Sequence, residues 1–283
     1  MRKASLLRDF QGFLAARAPG HSCRIVETQA SGHASKLARE AELSGCTDLV
    51  VVGGDGTLHE AANGLQGTGI ALSLLAAGTG NDFAKGLGWP RRLPEQYGAI
   101  VGGASRLIDV GLCNGTRFVN TMGLGFDGHV VEHLARTGKQ FGGHLSYLAA
   151  TLRLLAGFRE PWVSGSFDGE AFACPVFMLA VNNGTTFGGG FRITPEARLD
   201  DGLLDVCLIR ALGGWERLLH LPKVQAGRHA QVRQVSFRQV REVRFEAGEG
   251  IYGQLDGERL GGPPFAVSAL PQALRVIGAG QSR

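Results

Sequence analysis

Two stretches of the chain have the same layout: an apolar strand runs through a glycine turn directly into a helix. The first is Val50-Val51-Val52-Gly53-Gly54-Asp55-Gly56-Thr57-Leu58-His59-Glu60, and the second is Ala77-Gly78-Thr79-Gly80-Asn81-Asp82-Phe83-Ala84-Lys85 after the apolar run Ile70–Leu75. Around them the apolar run Cys23–Glu27, the helical stretch Ala34–Leu43, the β-rich run Asp48–Val52 and the helix His59–Leu65 alternate. Strands alternating with helices predict parallel βαβ units, and strands without polar alternation predict a sheet covered on both faces. The glycine turns then fall on one rim of an open α/β sheet, where such folds bind ligands.

Beyond about residue 111 the pattern changes. Short β-type runs at Arg117–Met122, Trp162–Phe167, Cys174–Val181, Leu203–Ile209, Val232–Phe237, Val240–Phe245 and Ala273–Ile277 are separated by Gly, Asn or Asp turns, an antiparallel pattern. The expected organisation is an α/β domain over residues 1–110 with a mostly parallel sheet, then a β-sandwich-like domain over 111–283. The last run, 273–277, is free to return to the first domain. Two helices interrupt the second half; in one of them Leu145, Leu148, Ala149, Leu152, Leu155 and Ala156 recur at helical spacing. Core packing is the commoner use of such a stripe, and a lipid-entry surface the rarer one.

Composition excludes several classes. The 283 residues are 44% apolar and 19% charged, ordinary globular usage. Five cysteines without a CxxC pair argue against a disulfide framework or a zinc site and for reduced thiols in the cytoplasm. No apolar window reaches the 18 residues of a membrane span. A formal charge of +4 is no nucleic-acid signature. The segment Arg210–Arg244, however, holds eight Lys and Arg against two Glu, a local excess of +6. It fits either a solvated rim or an attraction to anionic lipid headgroups.

The chemistry lies in the turns. Backbone amides at a helix N-terminus bind phosphate, glycine lets the main chain approach it, and a carboxylate such as Asp55 can hold a divalent cation against the phosphate charge. Neither turn is GxxxxGK[ST] or GxGxxG, so the P-loop and dinucleotide fingerprints are absent.

GGDGTLHE followed by GTGNDFAK resembles the diacylglycerol kinase and sphingosine kinase type of lipid kinase, in particular its compact bacterial members. The resemblance continues through Asp109-Val110-Gly111, Gly123–Asp127, Asn182-Asn183, Pro195–Asp205 and Leu255-Asp256-Gly257-Glu258. It implies an ATP- and Mg²⁺-dependent kinase acting on a lipid hydroxyl (diacylglycerol, sphingoid base or phosphatidylglycerol class), cytoplasmic and peripheral to the inner face of the membrane. Gly53, Gly54, Asp55, Gly56, Thr57, Leu58, His59 and Glu60, with Thr28, Gly78, Thr79 and Asn81, match the ATP-binding segments. Asp55 and Asp82 match the acids of the magnesium and phosphate network, Glu258 matches the general base, and Asp256 is placed to orient it. Arg198, Asp201 and Leu203 match a structural Mg²⁺ site, for which a solvated acidic turn is an equal alternative.

Members of that family open with a strand and an Asn-Pro-x-Ser-Gly loop that have no counterpart here. The shortfall is roughly ten to fifteen residues, about one strand with its loop, and a start assigned too far downstream is the expected reason. Two other readings stay open: an NAD kinase-like enzyme for a soluble substrate, and a non-catalytic nucleotide-binding protein.

Overall fold

The computed structural model of the chain describes residues 3–137, 151–155, 157–247 and 251–278. The chain divides into two compact units, Met1–Ile108 with Ala273–Arg283, and Asp109–Gln272.

In the first unit β1 (Asp48–Gly53) and β2 (Ala71–Ala76) pair in parallel from Asp48↔Ala71 to Gly53↔Ala76. The end of β13 (Phe265–Ile277) continues the parallel order at Val276↔Leu72. Helix α2 (His33–Leu43) packs on α3 (Asp55–Gly64), at a spacing only glycine permits: a Cβ on Gly64 would overlap the Ser35 carbonyl. Helix α1 (Lys3–Arg17) packs on α5 (Leu93–Gly102), and α5 on β2. The Tyr97 ring centroid lies 5.4 Å from that of Phe10 and 5.6 Å from that of Phe13, and its hydroxyl donates to the Leu6 carbonyl. The short α4 spans Asp82–Gly86.

Cys23–Glu27 is not a strand. Its residues are exposed, Ile25 at 40% and Val26 at 46%. A strand needs a ladder partner, and β1 pairs only with β2 among the described residues; hydrophobic residues alone do not make one.

In the second unit β3 (Ser105–Cys113) turns through Asn114-Gly115, both at positive φ, into β4 (Thr116–Phe118). Then follow β5 (Thr121–Gly125), α6 (Phe126–Thr137), β6 (Trp162–Phe167), β7 (Glu170–Asn182), β8 (Leu204–Arg210), α7 (Gly214–Gln225), β9 (Val235–Val240), β10 (Glu242–Ala247), β11 (Gly253–Leu255) and β12 (Glu258–Leu260). The pairings among β5 to β12, and of β10 with β13 and β3 with β4, are antiparallel. The long β7 serves two sheets: Glu170–Pro175 pairs with β6, and the rest lies between β5 and β8.

Along β7 the side chains alternate between two cores except at an irregularity between Val176 and Met178, where the adjacent Phe177 and Met178 share one side. Val176, Leu179 and Val181 enter a core with Phe118, Met122, Phe245 and Phe265. Phe177, Met178 and Ala180 enter another with Phe126, Leu155 and Ile209. Two buried faces explain why β7 and β8 read as unbroken apolar runs.

The run Arg117–Met122 is broken into β4 and β5, because the amides of Val119, Asn120 and Thr121 bond the Asp256 carboxylate. The run Val232–Phe237 starts as a strand only at Val235, whose amide closes a turn onto the Val232 carbonyl. Of the helical stripe in the second half, Leu145, Leu148, Ala149 and Ala156 lie outside the described residues. Leu155 is buried and Leu152 is 46% exposed.

Candidate active site

The two glycine turns are built against each other. A Cβ on Gly78 would stand 2.5 Å from the Gly54 Cα and 2.8 Å from the Asn81 side-chain oxygen. The Gly53 carbonyl accepts from the amides of Ala77 and Gly78, at 2.9 and 3.1 Å. Asn81, in the left-handed region at φ 51, bonds Gly78 through both ends of its amide. Around Gly80 two acids converge: its Cβ position lies 3.0 Å from Asp55 Oδ2 and 3.6 Å from Asp82 Oδ2. Asp55 Oδ1 accepts from the Phe83 amide at the start of α4, and Asp82 is paired with Lys85 at 2.9 Å. Gly54 caps α3 without a side-chain bond, so the amides of that first turn face outward, as an anion site needs. This glycine cradle fits a polyphosphate, and the convergent acids fit its divalent cation. Gly78→Ala is expected to lower ATP affinity at least tenfold by calorimetry, because backbone must move to admit the methyl group. Gly98→Ala on α5, with open space around it, is expected to leave affinity unchanged.

Glu60 does other work. Its carboxylate accepts from the amides of Gly32 and Ala34, at 2.8 and 3.1 Å, and from the Ser31 hydroxyl. It therefore caps α2 from α3 and anchors the loop that follows Thr28. Thr28 and Thr79 are exposed, Gly56 and Thr57 half-buried, and Leu58 buried in α3. His59, 8% exposed, has Asn63 donating to its carbonyl at 2.9 Å. It belongs to the packing of α3.

In the second unit Leu255-Asp256-Gly257-Glu258 forms the β11–β12 hairpin. Asp256 and Gly257 have φ 50 and 87, the geometry that Asp-Gly supplies in a two-residue turn. The side chains diverge in role. Asp256 is 6% exposed, and its two oxygens accept from the amides of Val119, Asn120 and Thr121 at 2.8–2.9 Å. Glu258 is exposed. Gln254, wholly buried, accepts from the Gly257 amide and donates to Asp127 Oδ2. Desolvation pushes the Asp127 carboxyl up to about 7, against the Gln254 hydrogen bond, which lowers it. Gln254 and Asp127 were not singled out as site residues from the sequence. The available signal for Gln254 was its place three residues before Gly257, whose amide it bonds across the Asp-Gly turn.

Arg198–Leu203 is pinned from below. Buried Asp109 accepts from the Gly202 amide at 2.6 Å and the Gln272 amide at 2.7 Å, and its own amide donates to the Leu199 carbonyl. Asp201 accepts from the Leu203 amide and from Gln239, while Arg198 pairs with Asp200 at 3.8 Å. Burial, and then the Asp201 charge, push Asp205 up to about 6. Among the described residues no three His, Cys, Asp or Glu side chains are grouped to hold a metal.

The other feature of this unit is a small apolar cavity of about 80 Å³, open in part to solvent. Phe126, Leu155, Phe177, Ile193 and Ile209 line it together with Asp127, Arg217 and residues of α7. The ring centroids of Phe126 and Phe177 stack at 5.0 Å, and Arg217 sits over Phe177 at 5.4 Å. An apolar, aromatic lining with a few polar groups is the chemistry of a pocket for an apolar group.

A glycine-cradled α/β unit joined to a β-sandwich-like unit places the chain among the kinases with a diacylglycerol kinase catalytic domain. The family model "Diacylglycerol kinase catalytic domain" matches residues 2–113, and "YegS C-terminal NAD kinase beta sandwich-like domain" matches 120–278. A "Probable lipid kinase YegS-like" of Pseudomonas aeruginosa is 35% identical over 267 residues, 93% of this chain and 86% of that one. The "Diacylglycerol kinase" of Bacillus subtilis is 27% identical over 91% and 86%. The crystal structure of a diacylglycerol kinase homologue from Bacillus anthracis superposes with a TM-score of 0.82 at 25% identity, covering 98% of this chain and 92% of that one. The chain belongs to the YegS-like and diacylglycerol kinase family of lipid kinases.

Proposed function

We propose that the protein transfers the γ-phosphoryl group of ATP to a hydroxyl of a lipid of the diacylglycerol, sphingoid or phosphatidylglycerol class. The observation that carries this reading is the cavity, whose apolar lining suits an acyl chain and whose Asp127 stands ready to bond a polar headgroup. When bound, Mg²⁺-ATP supplies the phosphoryl group, with the cation offsetting the charge of its oxygens. Gly53 to Thr57 and Gly78 to Asn81 frame the phosphates, which the main-chain amides not spent within the turns hold, and Asp55 and Asp82 hold the cation. Glu258 takes the proton of the acceptor hydroxyl, and Asp256 positions it by fixing the turn. Arg198, Asp201 and Leu203 hold a second, structural Mg²⁺ in this reading.

An NAD kinase-like role predicts transfer to a soluble nucleotide without lipid. An NAD kinase from Archaeoglobus fulgidus shares the fold at a TM-score of 0.53 and 13% identity, which speaks for architecture alone. The test is transfer from γ-labelled ATP with Mg²⁺ into a total lipid extract in mixed micelles, beside NAD as acceptor. Label in a lipid supports the proposal; label in NAD alone, or in neither, overturns it. Filling the cavity by Ile209→Trp is expected to reduce use of long-chain acceptors at least tenfold while sparing a short-chain one. Equal loss on both would remove the cavity from acceptor binding.

No helix among the described residues is long and apolar enough to cross a membrane.

A further inference from the structure

Helix α7 has two apolar faces, and only one is covered. Arg217, His220, Leu221 and Val224 line the cavity. At 3.6 residues per turn the opposite side carries Trp215, Leu218, Leu219 and Pro222. Trp215 is 86% exposed, Leu219 67%, Leu218 47%, and Pro222 is exposed as well. The orientation is fixed and not a loose packing choice. Arg217 is buried, donates to the carbonyls of Leu212 and Leu155, and pairs with Glu160 at 2.5 Å. Glu160 also accepts from the Leu212 amide just before the helix.

The charged side chains on and beside this helix are mainly basic. Arg210 before the helix, Lys223 on its flank and Arg228 after it are all exposed. The one acid on the helix, Glu216, is taken up by the Gly213 amide and Gln234. A second exposed indole, Trp162 at 63%, stands opposite Pro175 on β7, whose carbonyl accepts from Ala211 near the helix start. An amphipathic helix with Trp and Leu on its free face and cations around it is the chemistry of an interfacial membrane helix: the apolar side chains enter the headgroup region and the cations meet anionic lipid. A protein partner would meet the same apolar face, but the mainly basic charge favours the anionic lipid.

We infer that α7 docks the protein on an anionic membrane surface through Trp215, Leu218 and Leu219, with the same helix walling the cavity on its other side. The inference goes beyond the lipid-kinase reading and rests on it for its biological sense. The test is sedimentation with vesicles of phosphatidylcholine containing phosphatidylglycerol, comparing the full chain with W215A/L218S/L219S and with K223E/R228E. Activity is measured in parallel on a water-soluble, short-chain diacylglycerol below its micellar concentration.

Both variants are expected to bind these vesicles at least tenfold more weakly, to bind pure phosphatidylcholine poorly, and to keep their activity on the soluble acceptor. Undiminished vesicle binding by the triple variant overturns the docking face. So does an intact chain that self-associates through this face, shown by a dimer that the triple variant abolishes while vesicle binding persists. Absence of transfer to any lipid by the intact chain would instead refute the lipid-kinase reading, and vesicle binding would still decide the docking face.

Discussion

Glu258→Gln is expected to lower kcat by a factor of about 10² or more while ATP affinity and melting temperature stay where they are. The side chain is exposed at the rim of a hairpin, so no packing is lost. The amide keeps the shape and loses the ability to take a proton, which isolates the chemical step from binding. Steady-state transfer into micellar lipid, with calorimetric ATP titration and thermal unfolding alongside, reads the three quantities separately. A variant that turns over at near wild-type rate would remove Glu258 from proton transfer.

Asp256→Asn is expected to do the opposite two residues earlier: to destabilise strongly and lower activity as a consequence. The buried carboxylate receives three main-chain amides. An amide side chain keeps one acceptor oxygen and turns an NH₂ group toward an N–H donor, and charge-assisted bonds are the strong ones. The cost is about 2–4 kcal/mol, which for a unit of this size lowers Tm by about 5–10 °C. Differential scanning calorimetry checks it; an unchanged Tm would mean the three bonds contribute little. Taken together, the two substitutions separate a residue that touches the acceptor from one that positions it.

Much of this was legible in the chain itself. The alternation of strands and helices and the two strand–glycine–helix turns led directly to the α/β unit, because a glycine turn between an apolar run and a helix has few other uses. Runs such as Trp162–Phe167 became strands nearly as bounded. Where the reading failed, the reason lay outside local pattern. Cys23–Glu27 has the composition of a strand and no ladder partner among the described residues. Arg117–Met122 is cut by a carboxylate that arrives from Asp256, far along the chain. Glu60 reads as part of a phosphate-binding segment, yet its capping of α2 depends on a packing between helices that spacing does not encode. The cavity was the least legible element of all: its lining comes from α6, β7, β8, α7 and the segments between them, from side chains that look like ordinary core.

The sharing of β7 between two sheets has a consequence for how the second unit comes apart. Its first half holds β6 and its second half holds both β5 and β8, with a hydrophobic core on either side. Freeing one sheet strips the strand that anchors the other, so partial opening is penalised on both sides at once. The unit is built to lose its structure in a single cooperative step. The cavity wall formed by Phe177 and Met178 is therefore expected to share the stability of the whole unit and not that of a loop.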